Sequence, residues 1–532
     1  MGLKRILLLC CFSCIVALGV GQNSIEPSPS IIIDPIEGKL LDLSNLCLQK
    51  NPTILRQQLT IKQFTTNKQI ATSTFDYQLN ANLAFNRDAL NLFEPDPRNA
   101  FVNQRINTNT LTLSSGVQRT FRTGFSAAAM LDYSRIGDNF PINRFNEEVG
   151  AHVSDNFTSL RFLVRQPLMR GKGRQIATAN EKAAQIDIES QEYNLNFITS
   201  GELLNVVQSY WQYLSHHKQL EIYRENEGRI RQVLAVTKDL VNAEKKPAGD
   251  LVQVKADLTN KERQRLLAEQ QLYNSRQNLG RFIGLNEQES EQIKTPKDPF
   301  PRIEDTQYHA DLAVQRYLDL AHQHRADLKA LVKSRDALEV LLSLAENNKK
   351  PQLDLTGFLT YGGADAGNSP HRFLSPFVNR EGRNVQVGLG LNFLFPINNN
   401  FAEANLLNSK VAISDRQVIL NNQIRNIELN VSIAFNNLQN AILALEKSAQ
   451  SFRYYEEVFK NEQVKFQNGL TTLLNLILFQ ERLTFAQLDY IQSQQQVAQS
   501  IANLRYETGT LLPATKEPSA LQDTAIFYQL PE

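Results

Sequence analysis

Cysteine is nearly absent from this chain. Of four in 532 residues, Cys10, Cys11 and Cys14 fall in the first fourteen positions, and Cys47 stands alone in the rest. One cysteine closes no internal disulfide, so a disulfide framework is excluded. Tryptophan occurs once. Neither sign of charge is in excess, with 56 Lys and Arg against 55 Asp and Glu. That leaves no basic surplus for a nucleic-acid backbone. After Gly21 there is also no apolar run of about 18 residues, the length a membrane-crossing helix requires. The longest candidate, Leu473 to Phe479, is interrupted by Asn475. If this chain enters a bilayer it must do so as a closed β-barrel, because only helices and barrels satisfy every backbone polar group in lipid.

What is present begins with a leader. Lys4 and Arg5 precede the apolar run Ile6 to Phe12, and Gly19-Val20-Gly21 offers a small-x-small cleavage site. Residues 1–21 therefore read as an export signal, too short for an anchor. Cleavage takes the formal charge from +1 to −1 and leaves Cys47 as the only thiol. Cys11-Phe12-Ser13 before Cys14 is a poor lipidation signal. Cys47 falls in the helical pattern Leu43, Leu46, Cys47, where a small buried side chain is expected.

The chain repeats itself at a spacing of 225. Val206, Tyr210, Leu258, Leu279 and Gly284 match Val431, Phe435, Leu483, Leu504 and Gly509 without a gap. Ser- and Pro-rich residues 22–39 form a linker. Repeat 1 covers 40–285, a second linker 286–308, repeat 2 309–512 and a tail 513–532.

Each repeat opens with helical periodicity, from Leu40 to about residue 74 in the first, and continues as strands. Phe75, Tyr77, Leu79, Ala81, Leu83 and Phe85 share one face, and Asp76, Gln78, Asn80, Asn82 and Asn86 the other. An apolar face backed by amides suits a lipid-facing wall around a wet lumen. The pattern recurs at Leu111–Val117, Phe125–Tyr133, Leu160–Leu168, Leu353–Tyr361 and Val385–Phe395. Intervening loops such as Gly362–Arg383 are long.

Long helices follow. Ile424, Ile427, Val431, Ala434, Leu438, Ala441 and Leu445 step by three and four, continued by Phe452, Tyr455, Phe459 and Phe466. Such spacing predicts coiled-coil packing over 400–467, about 100 Å at roughly 1.5 Å per residue. Residues 172–245 are comparable. In repeat 2, Asn468-Gly469 predicts a stop before a second helix from about 471 to 510. In repeat 1, Lys245-Lys246-Pro247-Ala248-Gly249 breaks the run, and Asp250 is expected to N-cap the next helix.

The copies differ among their strands. From Pro52 to Pro167 is 115 residues and from Ala326 to Pro396 is 70, so repeat 1 carries 45 more. An added hairpin over 108–135, turning at Arg122-Thr123-Gly124, accounts for most of them. Whether it joins the wall or folds over the mouth is open at this point.

Few residues suggest chemistry. Gly171-Lys172-Gly173 lacks the spacing of a phosphate loop. His216-His217 and His322/His324 have no accompanying acidic or cysteine cluster, so packing or surface roles are expected. Trp211 reads as a packing residue. With no nucleophile–base constellation, no enzyme is expected, and no cofactor or metal.

The segments "LCLQKNPTILRQQ" and "LAHQHRADLKAL", the junctions "VRQPLMRGKGR" and "FLFPINN", the returns "GDLVQVKADL" and "NGLTTLLNLILFQERL", and the endings "NLGRFIGL" and "NLRYETGTLL" resemble the outer-membrane efflux protein family, the TolC-like exit ducts. The resemblance implies an α+β fold built from two tandem repeats. It implies a homotrimer in which one shared transmembrane β-barrel, usually of four strands per chain, continues into a periplasmic α-helical coiled-coil barrel. It places the protein in the outer membrane of a Gram-negative-type cell. Its implied role is the passive outlet of a tripartite efflux pump, with a periplasmic adaptor and an inner-membrane pump as partners. A type I protein secretion outlet is an alternative, and a non-channel coiled-coil envelope scaffold is another. The family's helix turns meet the adaptor at the periplasmic entrance. Carried over, these are Lys245, Lys246, Gly249 and Asp250 in repeat 1, and Asn468, Gly469, Leu470, Asn475 and Leu478 in repeat 2. Glu244 and Lys245 stand where a glycine and an apolar residue are expected. Asp250 keeps an acidic constriction residue that Asn475 lacks, which puts cation-plugged gating in doubt.

Overall fold

The structure, a computed structural model, describes residues 35–102, 104–140, 153–309, 313–378, 383–468, 470–512 and 520–531. The expected signal peptide, most of the first linker, Gly469 and residues 513–519 of the tail lie outside the described residues.

The first helical run is two helices, α1 (Leu40–Lys50) and α2 (Pro52–Ser73). Asn51 divides them: its backbone is extended, and its side chain accepts from the N–H of Thr53 (2.8 Å) and Ile54 (3.2 Å). Pro52 follows at the first helical position, where a missing N–H costs nothing. Strands β1 (Gln78–Asn91), β2 (Arg105–Thr120), β3 (Ser126–Asp138) and β4 (Asp155–Pro167) come next. Phe75, expected on the first strand, instead lies buried in the turn before it.

The helix expected over 172–245 is interrupted at Thr178, with a single turn at Arg174–Ala177 before α3 (Ala179–Asn242). Helix α4 (Ala248–Ile283) returns. Repeat 2 supplies α5 (Val314–His324), α6 (Ala326–Asn348), β5 (Gln352–Ala366), β6 (Arg383–Leu394), α7 (Asn400–Gln467) and α8 (Leu473–Glu507). The ends of α3 and α7, and the starts of α4 and α8, are each 225 apart.

Among the described residues, all six strands form one antiparallel sheet in chain order. The added hairpin is therefore part of the sheet, as β2–β3. Directly paired residues share a face, so the pairings give each face its composition. One face carries Leu79, Leu83 and Phe85 against Val117, Leu113 and Leu111. It continues through Ala129, Phe162 and Leu359 to Val387 and, along β6, Leu389 and Leu391. The other face carries Asn80, Asn82, Ser114, Asp132, Gln386 and Asn392, with ion pairs Arg161–Asp132 (3.3 Å) and Arg165–Asp354 (2.7 Å). The turn at 121–125 is tight, whereas the connections at the opposite end (92–104, 139–154, 367–382) are long. One of these folds back onto the apolar face, where Phe373 meets Tyr133 (5.0 Å) and Phe377 meets Tyr361 (6.1 Å).

Below the sheet the helices pack side by side. Helix α6 lies between α3 and α7, and α8 also touches both. The predicted seam is buried at Ile427, Val431, Ala434, Leu438, Ala441 and Leu445, while Phe452, Tyr455, Phe459 and Phe466 are half-buried. The apolar core falls mainly into two clusters, one mostly of repeat 1 and one mostly of repeat 2. One gathers Leu43, Cys47, Ile54, Val207, Tyr210, Trp211 and Ile283, the other Tyr317, Ile427, Val431, Leu438, Ile501 and Leu504. Cys47 and Trp211 are thus packing residues, and burial pushes the Cys47 thiol up to about 12. Gly284 and Gly509, 225 apart, end α4 and follow α8 with φ of +95° and +72°. A Cβ there would lie 2.6 Å from the Lys50 carbonyl oxygen and 2.8 Å from the Arg325 nitrogen, so each helix end closes onto the break between the repeat's first two helices. Among the described residues no helix is long and apolar enough to cross a membrane.

Candidate functional site

Far from the sheet, each long helix reverses through a short turn, and the two turns use one hydrogen-bond scheme. After α3, the Lys245 N–H donates to the Leu240 carbonyl (2.9 Å); after α7, the Leu470 N–H donates to the Lys465 carbonyl (2.8 Å). Both bonds span five residues and sit 225 apart, the closing bond of a Schellman stop. That stop places the residue before the donor in the left-handed region, which favours glycine. Repeat 2 has Gly469 at this position in sequence. Repeat 1 has Glu244, whose φ is +61°. The departure noted in the sequence thus leaves the turn's geometry intact and moves its cost onto an L-residue.

The starts of the return helices differ. Thr472 N-caps α8, accepting from the Asn475 N–H (3.2 Å). Its counterpart Pro247 precedes α4 without a side-chain cap. Asp250 is therefore not the N-cap expected from the sequence. Proline already fixes the extended backbone there, and Asp250 falls inside the first turn, its N–H on the Pro247 carbonyl (3.1 Å). Its carboxylate still favours the helix N-terminus and lies 4.0 Å from the Lys246 ammonium. Lys246 also stands 5.8 Å from the Phe466 ring, bridging the two turns. Asn475 bonds the Thr471 hydroxyl (3.3 Å). Thr471 and Lys465 both hold the Glu462 carboxylate, and the Thr471 bond keeps it below its usual range. Lys245, Gly249, Asn468 and Leu470 are exposed, and so are Asn475 and Leu478. Gly469 lies outside the described residues.

A small apolar cluster of Ile230, Val254, Leu473 and Ile477, with half-buried Phe466 packed against it, ties the four helices just behind these turns. Polar contacts that periodicity alone did not reveal lie further in. Lys261 is buried on the stripe Val254, Lys261, Ala268, Ser275, and its ammonium reaches Glu481 of α8 (3.0 Å) and Asp257 (3.7 Å). Burial raises the Asp257 carboxyl despite that lysine. Gln480 donates to Asn226 across α8 and α3. A charge on a seven-residue seam was the available signal. Nearer the sheet, buried Arg325 binds Asp327 (2.7 Å) and Glu507 (2.8 Å) at the α5–α6 break. Of the paired histidines, His216 is half-buried, with its basicity lowered by that burial, and His322 faces Glu428 (3.4 Å).

The chain thus combines a sheet with one polar and one apolar face, a column of helices and two exposed reversals. Comparison with known proteins agrees. The family described as outer membrane efflux protein matches residues 317–510. No curated protein matches the chain. Among solved structures, the outer-membrane channel OprN aligns at 14% identity over 90% of both chains with a TM-score of 0.62. The Campylobacter jejuni CmeC outer-membrane channel aligns at 14% over 91% of this chain and 87% of its own (0.61). The outer-membrane protein VceC of Vibrio cholerae aligns at 14% over 88% and 96% (0.60). Over its second repeat this chain is similar in sequence to the outer membrane efflux proteins, and over about nine-tenths of its length it shares the fold of these solved outer-membrane channels.

Proposed function

We propose that three copies of this chain close into the outer-membrane outlet of an efflux pump and conduct its cargo passively to the exterior. The observation that carries this reading is a matched pair of open edges. Among the described residues β1 and β6 each pair on one side only, and an unpaired strand edge is not tolerated in lipid. The helices have the same incompleteness. Helix α6 is flanked by α3 and α7, while its counterpart α2 packs on α3 and leaves Leu55, Leu59 and Ile70 exposed on its other flank. Helix α7 offers exposed Leu407, Val411, Val418 and Ile433. A cyclic arrangement satisfies both edges at once, β1 on a neighbour's β6 and α2 on a neighbour's α7, as heterologous contacts close a ring. The apolar face then meets lipid and the amide face lines the lumen.

The turns at Lys245–Asp250 and Asn468–Leu478 point away from the membrane and form the periplasmic entrance, where an adaptor docks. Leu470, exposed by 76%, offers it an apolar anchor, and Lys245 a charge in the pseudo-equivalent place. The test is at the other end. Leu389→Asp with Leu391→Asp puts two charges into the apolar band, each costing about 2–3 kcal/mol at mid-depth. Heat-resistant trimer should vanish from the outer-membrane fraction, while Asn392→Asp on the lumen face is tolerated. Equal tolerance of both variants would favour a soluble envelope scaffold and sink the channel.

A further inference from the structure

Repeat 2 contributes two strands to the sheet and repeat 1 contributes four. We infer that the extra hairpin β2–β3 widens the outer-membrane mouth to the girth of the helical tube, so that the outlet admits polypeptide cargo in helical form. This rests on the trimeric channel reading and concerns its bore.

The hairpin is built into the wall. It pairs along its length with β1 on one side and β4 on the other. Its turn is keyed to the strand–helix junction. The Arg122 guanidinium clamps Glu181 of α3 with two bonds (2.9 and 3.0 Å) and stands over the Phe75 ring. The Thr123 carbonyl accepts from the Gly173 N–H (3.3 Å), and Gly124 packs so closely that a Cβ would sit 2.5 Å from the Gly171 oxygen. Its two faces continue the sheet's division, Leu113 and Leu131 outward, Ser114 and Asp132 inward.

The sheet's stagger fixes the strand tilt. Pairing leads from Ala81 through Ser115, Leu131, Leu160 and Tyr361 to Val385. Ala81 is three residues from the helix-side end of β1, and Val385 is nine from that of β6. Six residues of drift in five steps is roughly 20 Å along the strands against 24 Å across them, a tilt of about 40°. That is the tilt of closed barrels. At this tilt eighteen strands give a girth of about 110 Å, and twelve about 75 Å. At the junction each chain presents α2, α3, α6 and α7, and twelve helices spaced about 8–10 Å apart measure about 100–120 Å around. Only the larger barrel continues the tube without a waist. Its bore, after side chains, is about 25 Å against about 14 Å for twelve strands, enough for a helical hairpin whose single helices are about 10–12 Å across. Selection by size then rests with the turns at the far end.

The test places Asn392→Cys on the lumen face near the junction and exposes intact cells to maleimide-polyethylene glycols of graded size. The full chain should react with polymers up to about 10 Å in radius, and a variant lacking residues 105–138 only up to about 6 Å. A 6 Å limit in the full chain overturns the proposal, even if the deletion variant fails to assemble. Nitroxides at Leu131→Cys and Leu389→Cys separate the two readings: both should be oxygen-accessible in lipid. Leu131 in water with Leu389 in lipid overturns the wide mouth alone, and Leu389 in water overturns the channel itself.

Discussion

Glu244 sits in a left-handed conformation that its own pseudo-repeat assigns to glycine, and the strain is measurable. An L-residue pays roughly 1–2 kcal/mol for that region, while glycine gives back about 0.5–1 kcal/mol through greater freedom in the open chain. Glu244→Gly should therefore stabilise the turn by up to about 1 kcal/mol, about fivefold in its local opening equilibrium. Global unfolding of so large a chain would hide this, so the assay must be local. The Lys245 amide donates to the Leu240 carbonyl only while residue 244 holds its φ of +61°. Hydrogen exchange at that amide, read in peptides spanning 240–250, should slow by a factor of about two to five in the glycine variant. Glu244→Asn should fall between, since asparagine tolerates the region better than other L-residues. Unchanged or faster exchange in Glu244→Gly would mean that the turn is not strained in solution, and the argument from the repeat would be wrong. A strained turn at the proposed adaptor-docking end lowers the cost of reshaping it, which fits strain kept at a switching site.

Three further outcomes follow from buried and paired groups. Arg325→Leu leaves the Asp327 and Glu507 carboxylates facing each other without their cation. Thermal unfolding should register a loss of about 3–5 kcal/mol, and an unchanged transition would show the cluster to be dispensable. The Arg122 bond holds the Glu181 carboxyl below its usual range. A depressed folded pKa gives stability that is full above the unfolded value, near 4.5, and is lost as pH falls through the folded one. Barrel thermal stability should thus decline below pH 4.5, and Glu181→Gln should flatten that decline. Cys47, fully buried and with its thiol raised to about 12, should resist maleimide in the folded protein and react on denaturation; labelling of the native form would refute its packing role.

Much of this architecture was legible in residue spacing. The 225-residue repeat places the ends of α3 and α7 at matched positions, because both copies fold as the same strand-and-helix unit. Alternation such as Leu79, Ala81, Leu83 identified the strands and their faces. It was silent on partners, since a face pattern is the same whether β2–β3 extends the wall or caps it; only the pairings of Leu113 with Leu83 and Leu131 with Leu160 decide that. Helix breaks at Asn51 and Thr178 were missed because the apolar stripe runs through both. Asp250 was misplaced because residue preference named it a cap, whereas Pro247 had already set the backbone angle. Lys261 and Arg325 escaped notice for the opposite reason: composition places charge outside, and their burial depends on Glu481 and Glu507 arriving from distant parts of the chain.

The open edges of β1 and β6 also bear on genetics. In the proposed trimer each chain supplies one third of the wall and has no stable place in a bilayer by itself, so insertion must wait for its companions. A variant damaged at one edge would then poison the native copies it joins. With equal expression and random mixing, only about one ring in eight would be wholly native. Defects at the β1–β6 seam should therefore be dominant, whereas defects confined to a helical turn, which leave the ring intact, should be diluted rather than imposed.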